Sequence, residues 1–195
     1  MSEKSIREYK AFYDKIKKEL EESIPSSELN SDRLHNAAIM KLMLESSSNI
    51  SMFCGSLSVF RPQFYELMAE LHGADTAALA RLEVAKALSE FLADSTRHLN
   101  VILEYSDEFD YSMILDKEII RAAISDGTMS VYSLNSKFLW GNSLNHFAFS
   151  DDSEMLRLEE DKIEHTGLYV TREKSVLKKA HDTYEMLKLR SKKIA

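Results

Sequence analysis

Cysteine is almost absent from this chain of 195 residues, and its scarcity excludes several kinds of site. The single cysteine, Cys54, rules out an internal disulfide and any zinc site built from several cysteines. Cys54 ends the apolar run Ile50–Cys54, and because free cysteine is among the most buried residue types, the sequence predicts a thiol inside the core. The sequence also has no Ser-His-Asp arrangement, nucleophile elbow or dinucleotide fingerprint.

Long apolar segments are missing as well. No run approaches the roughly 20 residues that span a bilayer, and the opening MSEKSIREYK lacks the apolar stretch of a signal peptide. There is no internal repeat with a period of about 20–50 residues and no low-complexity tail. With 44% hydrophobic residues, the chain can bury one substantial core. We therefore expect a cytoplasmic protein that has no membrane partner.

Positive charge is scarce outside the end of the chain. Residues 50–173 contain ten basic and 21 acidic groups, a net of −11, whereas residues 174–195 contain seven basic and two acidic groups. Because proteins that grip a phosphate backbone usually present a basic surface, general nucleic-acid binding is disfavoured. A local contact stays open through the cations of the last helix, which are Lys178, Lys179, Lys188, Arg190, Lys192 and Lys193. The simpler interpretation is a solvated helix face.

The first 49 residues have a helical pattern. Apolar residues recur at helical spacing from Ile6 to Ile24 and predict a helix over about 5–23. The polar stretch Pro25–Ser31 is interpreted as a loop, in which Asn30 or Ser31 caps a second helix that ends near residue 46. We interpret residues 1–49 as an N-terminal helical extension and residues 50–195 as one α/β domain.

Strand and helix patterns alternate from Ile50 onward. The predicted strands cover residues 50–54, 99–105, 129–134, 146–149, 155–159 and 168–170. The predicted helices cover residues 62–71, 75–93, 112–124 and 174–192. Early β-α-β-α-β alternation favours parallel strands covered by helices, and the later hairpin adds antiparallel strands. The predicted fold class is α/β, with a mixed β-sheet flanked by helices.

The most informative segment is HFAFSDDSEMLRLEEDKIEHTGLYV, residues 146–170. A strand begins at His146, turns at Asp151 and Asp152, and returns through residues 156–159. Arg157 and Glu159 are two residues apart and therefore share one strand face, while the leucines beside them point to the core. If that charged face is covered, the arginine and the glutamate must be paired.

This element order and hairpin resemble one half of a phospholipase D-like protein, over about residues 50–194. The family motif is H-x-K-x4-D followed by a Gly-Ser strand, and His146 matches its histidine. The resemblance implies two facing motifs, in which one histidine attacks phosphorus and the other acts as the acid. Because this chain has one copy of the hairpin, a complete site would need a homodimer.

The sequence departs from that motif at its charged positions. The lysine position holds Ala148, the aspartate position holds Ser153, and the Gly-Ser position holds Arg157-Leu158-Glu159. In the family the lysine neutralises phosphate oxygens, so its loss removes the main phosphate-binding cation. Arg157 could supply a substitute charge from the opposite strand of the hairpin. The resemblance with these departures predicts that phosphodiesterase chemistry is absent.

The candidate ligand or interface residues are His146, Arg157, Glu159, Asp152, Ser56 and Arg61. Ser56 and Arg61 follow the first strand of the α/β domain, and ligands of open α/β sheets collect beyond the carboxyl ends of parallel strands. The structural alternatives are a hydrogen-bonded histidine inside the fold, an Arg–Glu pair and tight turns. His146, Asp152 and Glu159 would converge on a metal ion only by an accident of packing, so we predict neither a metal nor a cofactor.

Three functions fit these observations, and whether the chain is an enzyme stays open. We favour a non-catalytic phospholipase D-like domain that serves as an intracellular interaction or regulatory module, with a protein partner and as a homodimer. A phage or defence system would suit such a role. The second hypothesis is a dimeric phosphodiesterase or nuclease that uses His146 from each subunit. The third is a sensor that binds a nucleotide or a phosphorylated ligand near Ser56 and Arg61.

Overall fold

A computed structural model describes most of the chain. The described residues are 2–22, 26–29, 33–55, 57, 59, 61–105, 117–135, 145–150, 155–161 and 166–194. The backbone alone is described for residues 20, 26–29, 105, 135, 158–161 and 166–168.

Helices and strands alternate along these residues. The helices are α1 (Glu3–Glu22), α2 (Arg33–Ser46), α3 (Pro62–His72), α4 (Ala74–Ala93), α5 (Glu118–Ser125) and α6 (Lys174–Arg190). The strands are β1 (Ser26–Leu29), β2 (Asn49–Cys54), β3 (His98–Tyr105), β4 (Met129–Asn135), β5 (Phe147–Ser150), β6 (Met155–Asp161), β7 (Thr166–Thr171) and β8 (Lys192–Lys193).

One mixed sheet joins all eight described strands, in the order β1-β7-β6-β5-β2-β3-β4-β8. Strands β2, β3 and β4 are parallel, since the helices α3, α4 and α5 carry the chain back between them. The other pairings, including the β5–β6 hairpin, are antiparallel. The α/β class and the mixed sheet predicted from the sequence are therefore confirmed.

Helices cover both faces of the sheet. On one face, residues of helices α1 to α5 form a large buried cluster with alternate residues of β2, such as Ile50 and Met52. On the other face, Tyr184 and Leu187 of α6 pack against Phe53 of β2 and Phe149 of β5. Only Ile50, Met52 and Phe53 of β2 are fully buried, and its polar residues Asn49 and Ser51 share the face of Phe53. The apolar run Met52–Cys54 contacts helices on both faces of the sheet, so this part of the strand does not alternate.

Helices α1 and α2 belong to the same core as the α/β segment. Tyr9, Tyr13 and Ile16 of α1 are buried in the large cluster, and β1 pairs with β7 in the sheet. The boundary at residue 49 stays a prediction about how the chain is organised. Among the described residues, no helix combines the length and the apolar character needed to cross a membrane.

A buried lysine ties α1 to its neighbours. Lys41 of α2 places its ammonium 2.9 Å from a carboxylate oxygen of Glu45 and 3.5 Å from one of Glu83 on α4. The same ammonium lies 3.7 Å from the ring centroid of Tyr13, whose hydroxyl donates a hydrogen bond to Glu45. Burial alone would raise the pKa of Glu45, but the hydrogen bonds from Tyr13 and Lys41 outweigh it, so this pKa is lowered.

The sequence patterns did not predict two short strands. The interpretation of Pro25–Ser31 as a loop is wrong for Ser26–Leu29, which form β1. The last helix was predicted to reach residue 192, but it ends at Arg190, and Lys192–Lys193 pair with β4. Both strands lie at the edges of the sheet, and each pairs with a strand that no local sequence pattern identifies as its partner. Of the helix predicted over 112–124, residues 112–116 lie outside the described part.

Two leucines on α6 test the packing of this helix against the sheet. Leu187 is 1% exposed and Leu189 is 88% exposed. Replacing Leu187 by alanine should lower the free energy of unfolding by about 2–5 kcal/mol, because a cavity is left in the core. The matched change Leu189→Ala should alter it by less than about 0.5 kcal/mol. Urea denaturation measures both values, and equal effects would show that α6 does not pack as described.

The Lys41 cluster predicts a contribution to acid stability. The folded-state pKa of Glu45 is lowered, so its stabilising effect is present above its unfolded pKa of about 4.5 and is lost as pH falls through the folded value. The stability difference between the wild type and Glu45→Gln should therefore shrink below about pH 4.5. Urea midpoints measured at several pH values give this difference, with the exposed Glu21→Gln as a control. A constant difference at every pH would contradict the prediction.

Candidate functional site

His146 reaches across one strand to bond an acidic residue. It directly precedes β5, which pairs with β2, and β2 in turn pairs with β3. Its Nε2 lies 3.1 Å from Oε2 of Glu104, near the carboxyl end of β3. Because an ionised carboxylate only accepts hydrogen bonds, the ring N–H donates to Glu104. The imidazole ring also packs edge-on against Phe53, at 5.5 Å between ring centroids.

Gly55 makes this contact possible. It follows β2, the strand that lies between β5 and β3 in the sheet. A Cβ atom at position 55 would approach the His146 ring to 3.0 Å at Cε1 and 3.4 Å at Nε2. The missing side chain at Gly55 therefore leaves room for the imidazole ring. Backbone conformation does not explain this glycine, because the described glycines with positive φ are Gly73 and Gly127.

Arg157 lies directly opposite Ala148, the residue at the lysine position of the motif. In the β5–β6 hairpin the two residues are direct partners, so their side chains share one face of the sheet. Arg157 is only 7% exposed, and its Nη2 donates a hydrogen bond to Oδ1 of Asn36 on α2 at 2.8 Å. The guanidinium is thus held between the sheet and α2.

A cavity of about 80 Å³ brings these groups together. It lies between α2 and the sheet, beside the carboxyl end of β2. Its polar lining includes His146, Arg157 and Asn36, and the rest is mostly apolar, with Met40, Met52, Cys54, Leu57, Val59 and Ala148. Ligand pockets commonly measure about 300–1,000 Å³. This cavity is therefore small for a nucleotide.

The arrangement limits what the histidine can do. While Nε2 donates its hydrogen to Glu104, that nitrogen has no lone pair with which to attack phosphorus. The Glu104 carboxylate also places a negative charge beside the imidazole ring, and this charge disfavours a second anion close to that nitrogen. The geometry instead suits an oriented imidazole, in the way that a carboxylate fixes the ring of a paired histidine.

The structure brings some of the predicted site residues together and leaves others apart. His146 and Arg157 line one cavity, whereas Arg61 is half-buried before α3 and is not among the described residues of that cavity. The sequence predicted a buried core thiol at Cys54, which packs against the large cluster but is only half-buried, because it also lines the cavity. It ends β2 at the edge of the core, where the helices no longer cover the strand fully.

Three predicted site residues fall beyond what the structure describes. Ser56 and Asp152 lie outside the described residues, as does the Asp151–Asp152 turn. Glu159 pairs through its backbone with Leu168 in β7, but its side chain is not described. The expected Arg157–Glu159 pair therefore stays a prediction, and the described partner of Arg157 is Asn36.

The sequence analysis did not identify two residues of this site, Glu104 and Asn36. Glu104 carried a signal, since it is the one acidic residue in the strand HLNVILEY. Asn36 carried none, because a polar residue in the first turns of a helix is ordinary. Among the residues that the structure describes, no group of three or more His, Cys, Asp or Glu side chains could hold a metal ion.

Known proteins resemble this chain in structure. No protein-family model and no curated protein matches it. TrmBL2, an archaeal chromatin protein with a novel mode of DNA binding, matches with a TM-score of 0.56 and 11% identity, over 98% of this chain and 64% of TrmBL2. NucT from Helicobacter pylori matches with a TM-score of 0.53 and 13% identity, over 87% of this chain and 97% of NucT.

A further match is Nuc from Salmonella typhimurium, a phospholipase D family member. Its TM-score is 0.48 at 6% identity, over 86% of this chain and 97% of Nuc. The chain has a phospholipase D-like fold, as the hairpin predicted. At such low sequence identities, these matches show a shared fold and nothing more. This chain spans about 64% of the length of TrmBL2.

Gly55 offers a test of the contact between His146 and Glu104. Gly55→Ala should lower the free energy of unfolding by about 1–3 kcal/mol, because the new methyl group overlaps the imidazole. In a Glu104→Ala background the ring can move into the vacated space, so the same change should cost less. A double-mutant cycle by urea denaturation measures this coupling. Additivity within about 0.5 kcal/mol would show that Gly55 does not act through this contact.

Proposed function

We propose that this chain is a non-catalytic phospholipase D-like module that acts through contacts with proteins and associates as a homodimer. The observation that carries the proposal is the state of the polar groups at the degenerate site. The His146 Nε2 bonds Glu104, and one guanidinium nitrogen of Arg157, Nη2, bonds Asn36, so both side chains suited to phosphate chemistry have partners within the chain. Such bonds stabilise a fold without requiring a substrate.

The charge balance at the site supports this function. The lysine position of the motif is Ala148, which is buried against the helices. Arg157 restores one positive charge, but Glu104 contributes a negative one, and an attacking histidine needs donors aimed at the developing charge on the phosphate. A site with one positive and one negative charge offers little electrostatic stabilisation to a bound phosphodiester. Its residues are therefore better explained by a structural role than by catalysis.

A homodimer is proposed because of the symmetry of the fold family. The phospholipase D-like resemblance implies that two hairpins face each other, and this chain contains one. Two-fold dimers use the same surface patch on both subunits. A pair of chains would retain the family's arrangement of halves as a platform for a protein partner, even where the chemistry has been lost.

Nucleic acid is a weaker candidate partner than protein. TrmBL2 binds DNA, but the shared fold does not transfer that property. Residues 50–173 of this chain have a net charge of −11, which would repel a phosphate backbone. On the basic helix α6, Lys178 already pairs with Asp182 at 2.6 Å.

The second candidate is a dimeric phosphodiesterase that uses His146 from each subunit. It is favoured by the convergence of His146 and Arg157 on one cavity and by the carboxylate that orients the imidazole. The sensor hypothesis has less support. The cavity of about 80 Å³ is too small for a nucleotide in this conformation, and Ser56 lies outside the described residues.

Hydrolysis of bis-(p-nitrophenyl) phosphate separates the first two candidates. Wild type, His146→Ala and the control His181→Ala should all show the background rate, with or without divalent metal ions, because the lysine of the motif is missing and Nε2 of His146 is bonded to Glu104. His146→Ala should also keep the dimer mass measured by light scattering. Turnover by the wild type that disappears in His146→Ala, but not in His181→Ala, would replace this proposal with the phosphodiesterase.

A further inference from the structure

A second cleft lies on the far side of Val59 from the His146 cavity. It has a volume of about 210 Å³ and lies between helices α4 and α5. Its floor is apolar, with the buried side chains of Val84, Leu88 and Ile120, and Val59 lines both the cleft and the His146 cavity. Tyr65 also lines it, and its hydroxyl donates a hydrogen bond to the Val59 carbonyl at 2.8 Å.

Two cations meet at the rim of this cleft. Arg81 of α4 and Lys117, which directly precedes α5, both line it and are both exposed. Burial lowers the pKa of the Lys117 ammonium, and the nearby Arg81 charge lowers it further. Only ten cations occur in residues 50–173, against 21 acidic groups, so two of them at one cleft are a local exception to an acidic chain.

Bringing two like charges together costs free energy. Pairs of like charges are found most often at functional sites, where a bound ligand can compensate them. Within the described part of the chain, no carboxylate forms an ion pair with Arg81. Lys117 is also the N-cap residue of α5, where no side chain caps the helix. The positive end of that helix adds to the two side-chain charges, and Glu118 in its first turn offsets part of this positive charge.

We propose that this cleft binds a small amphipathic anion, whose apolar body contacts Val84, Leu88 and Ile120 and whose head group lies between Arg81 and Lys117. A buried apolar floor supplies the affinity for the body, and the two cations select the head group. Because the cleft is smaller than the roughly 300–1,000 Å³ of common ligand pockets, the ligand must be short. A carboxylate and a phosphate monoester share the required head-group chemistry.

Calorimetric titration of the full chain with octanoate tests the proposal. We expect saturable binding, no binding of octylamine, which has the same apolar body with the opposite charge, and none of acetate, which lacks the body. Arg81→Gln and Lys117→Gln should each weaken octanoate binding by about fivefold, as for the loss of an ion pair near the surface. Repeating the titration with octyl phosphate identifies the preferred head group, since the tighter ligand carries it.

Two further variants keep the test specific. Lys86→Gln removes an exposed cation from the same helix, outside the described lining of the cleft, and should leave binding unchanged. Ala85 is exposed and lines the cleft, so Ala85→Leu should fill it and weaken octanoate binding while the thermal midpoint stays close to that of the wild type. Absence of binding, equal binding of octylamine, or no effect of both charge-removing variants would overturn the proposal.

Discussion

The burial of β2 on both faces is the constraint on which the rest of the structure depends. A strand covered on both sides must be apolar along its whole length and must bury its backbone in pairings with two neighbours. β2 follows this rule where it is covered on both faces, at Met52 and Phe53, whereas its polar residues Asn49 and Ser51 are not fully buried. It pairs with β3 on one side and with β5 on the other. The large helical layer and α6 then have fixed places, because each must cover one face of the same central strands.

The site follows from where that coverage ends. At the carboxyl end of β2 the core gives way to Cys54 and Gly55, and polar side chains from three other elements converge there. Gly55 lets the His146 ring pass over the central strand to Glu104, and Arg157 stands opposite Ala148 on the hairpin. The phospholipase D-like fold is therefore kept, while His146 bonds Glu104 and Arg157 bonds Asn36.

Most of the fold could be predicted because its signals are local. The apolar run that ends at Cys54, the helical spacing of α4 and the hairpin after His146 each belong to one stretch of sequence. The edge strands could not be predicted, since β1 is defined by β7, which lies about 140 residues away in the chain. The partial exposure of Cys54 could not be predicted, because an apolar run does not reveal where its burial stops.

The sequence by itself determined the fold class, the order of the elements from β2 to α6 and the position of the hairpin after His146, because periodicity and turn residues act over short distances. The sequence also determined that alanine, at Ala148, occupies the position of the motif's lysine. Only the tertiary structure decided that Glu104 bonds His146, that Asn36 bonds Arg157, and that Arg81 and Lys117 share a cleft. Each of these contacts joins residues at least 36 positions apart, and their distance in space is set by the packing of helices on the sheet rather than by any spacing along the chain.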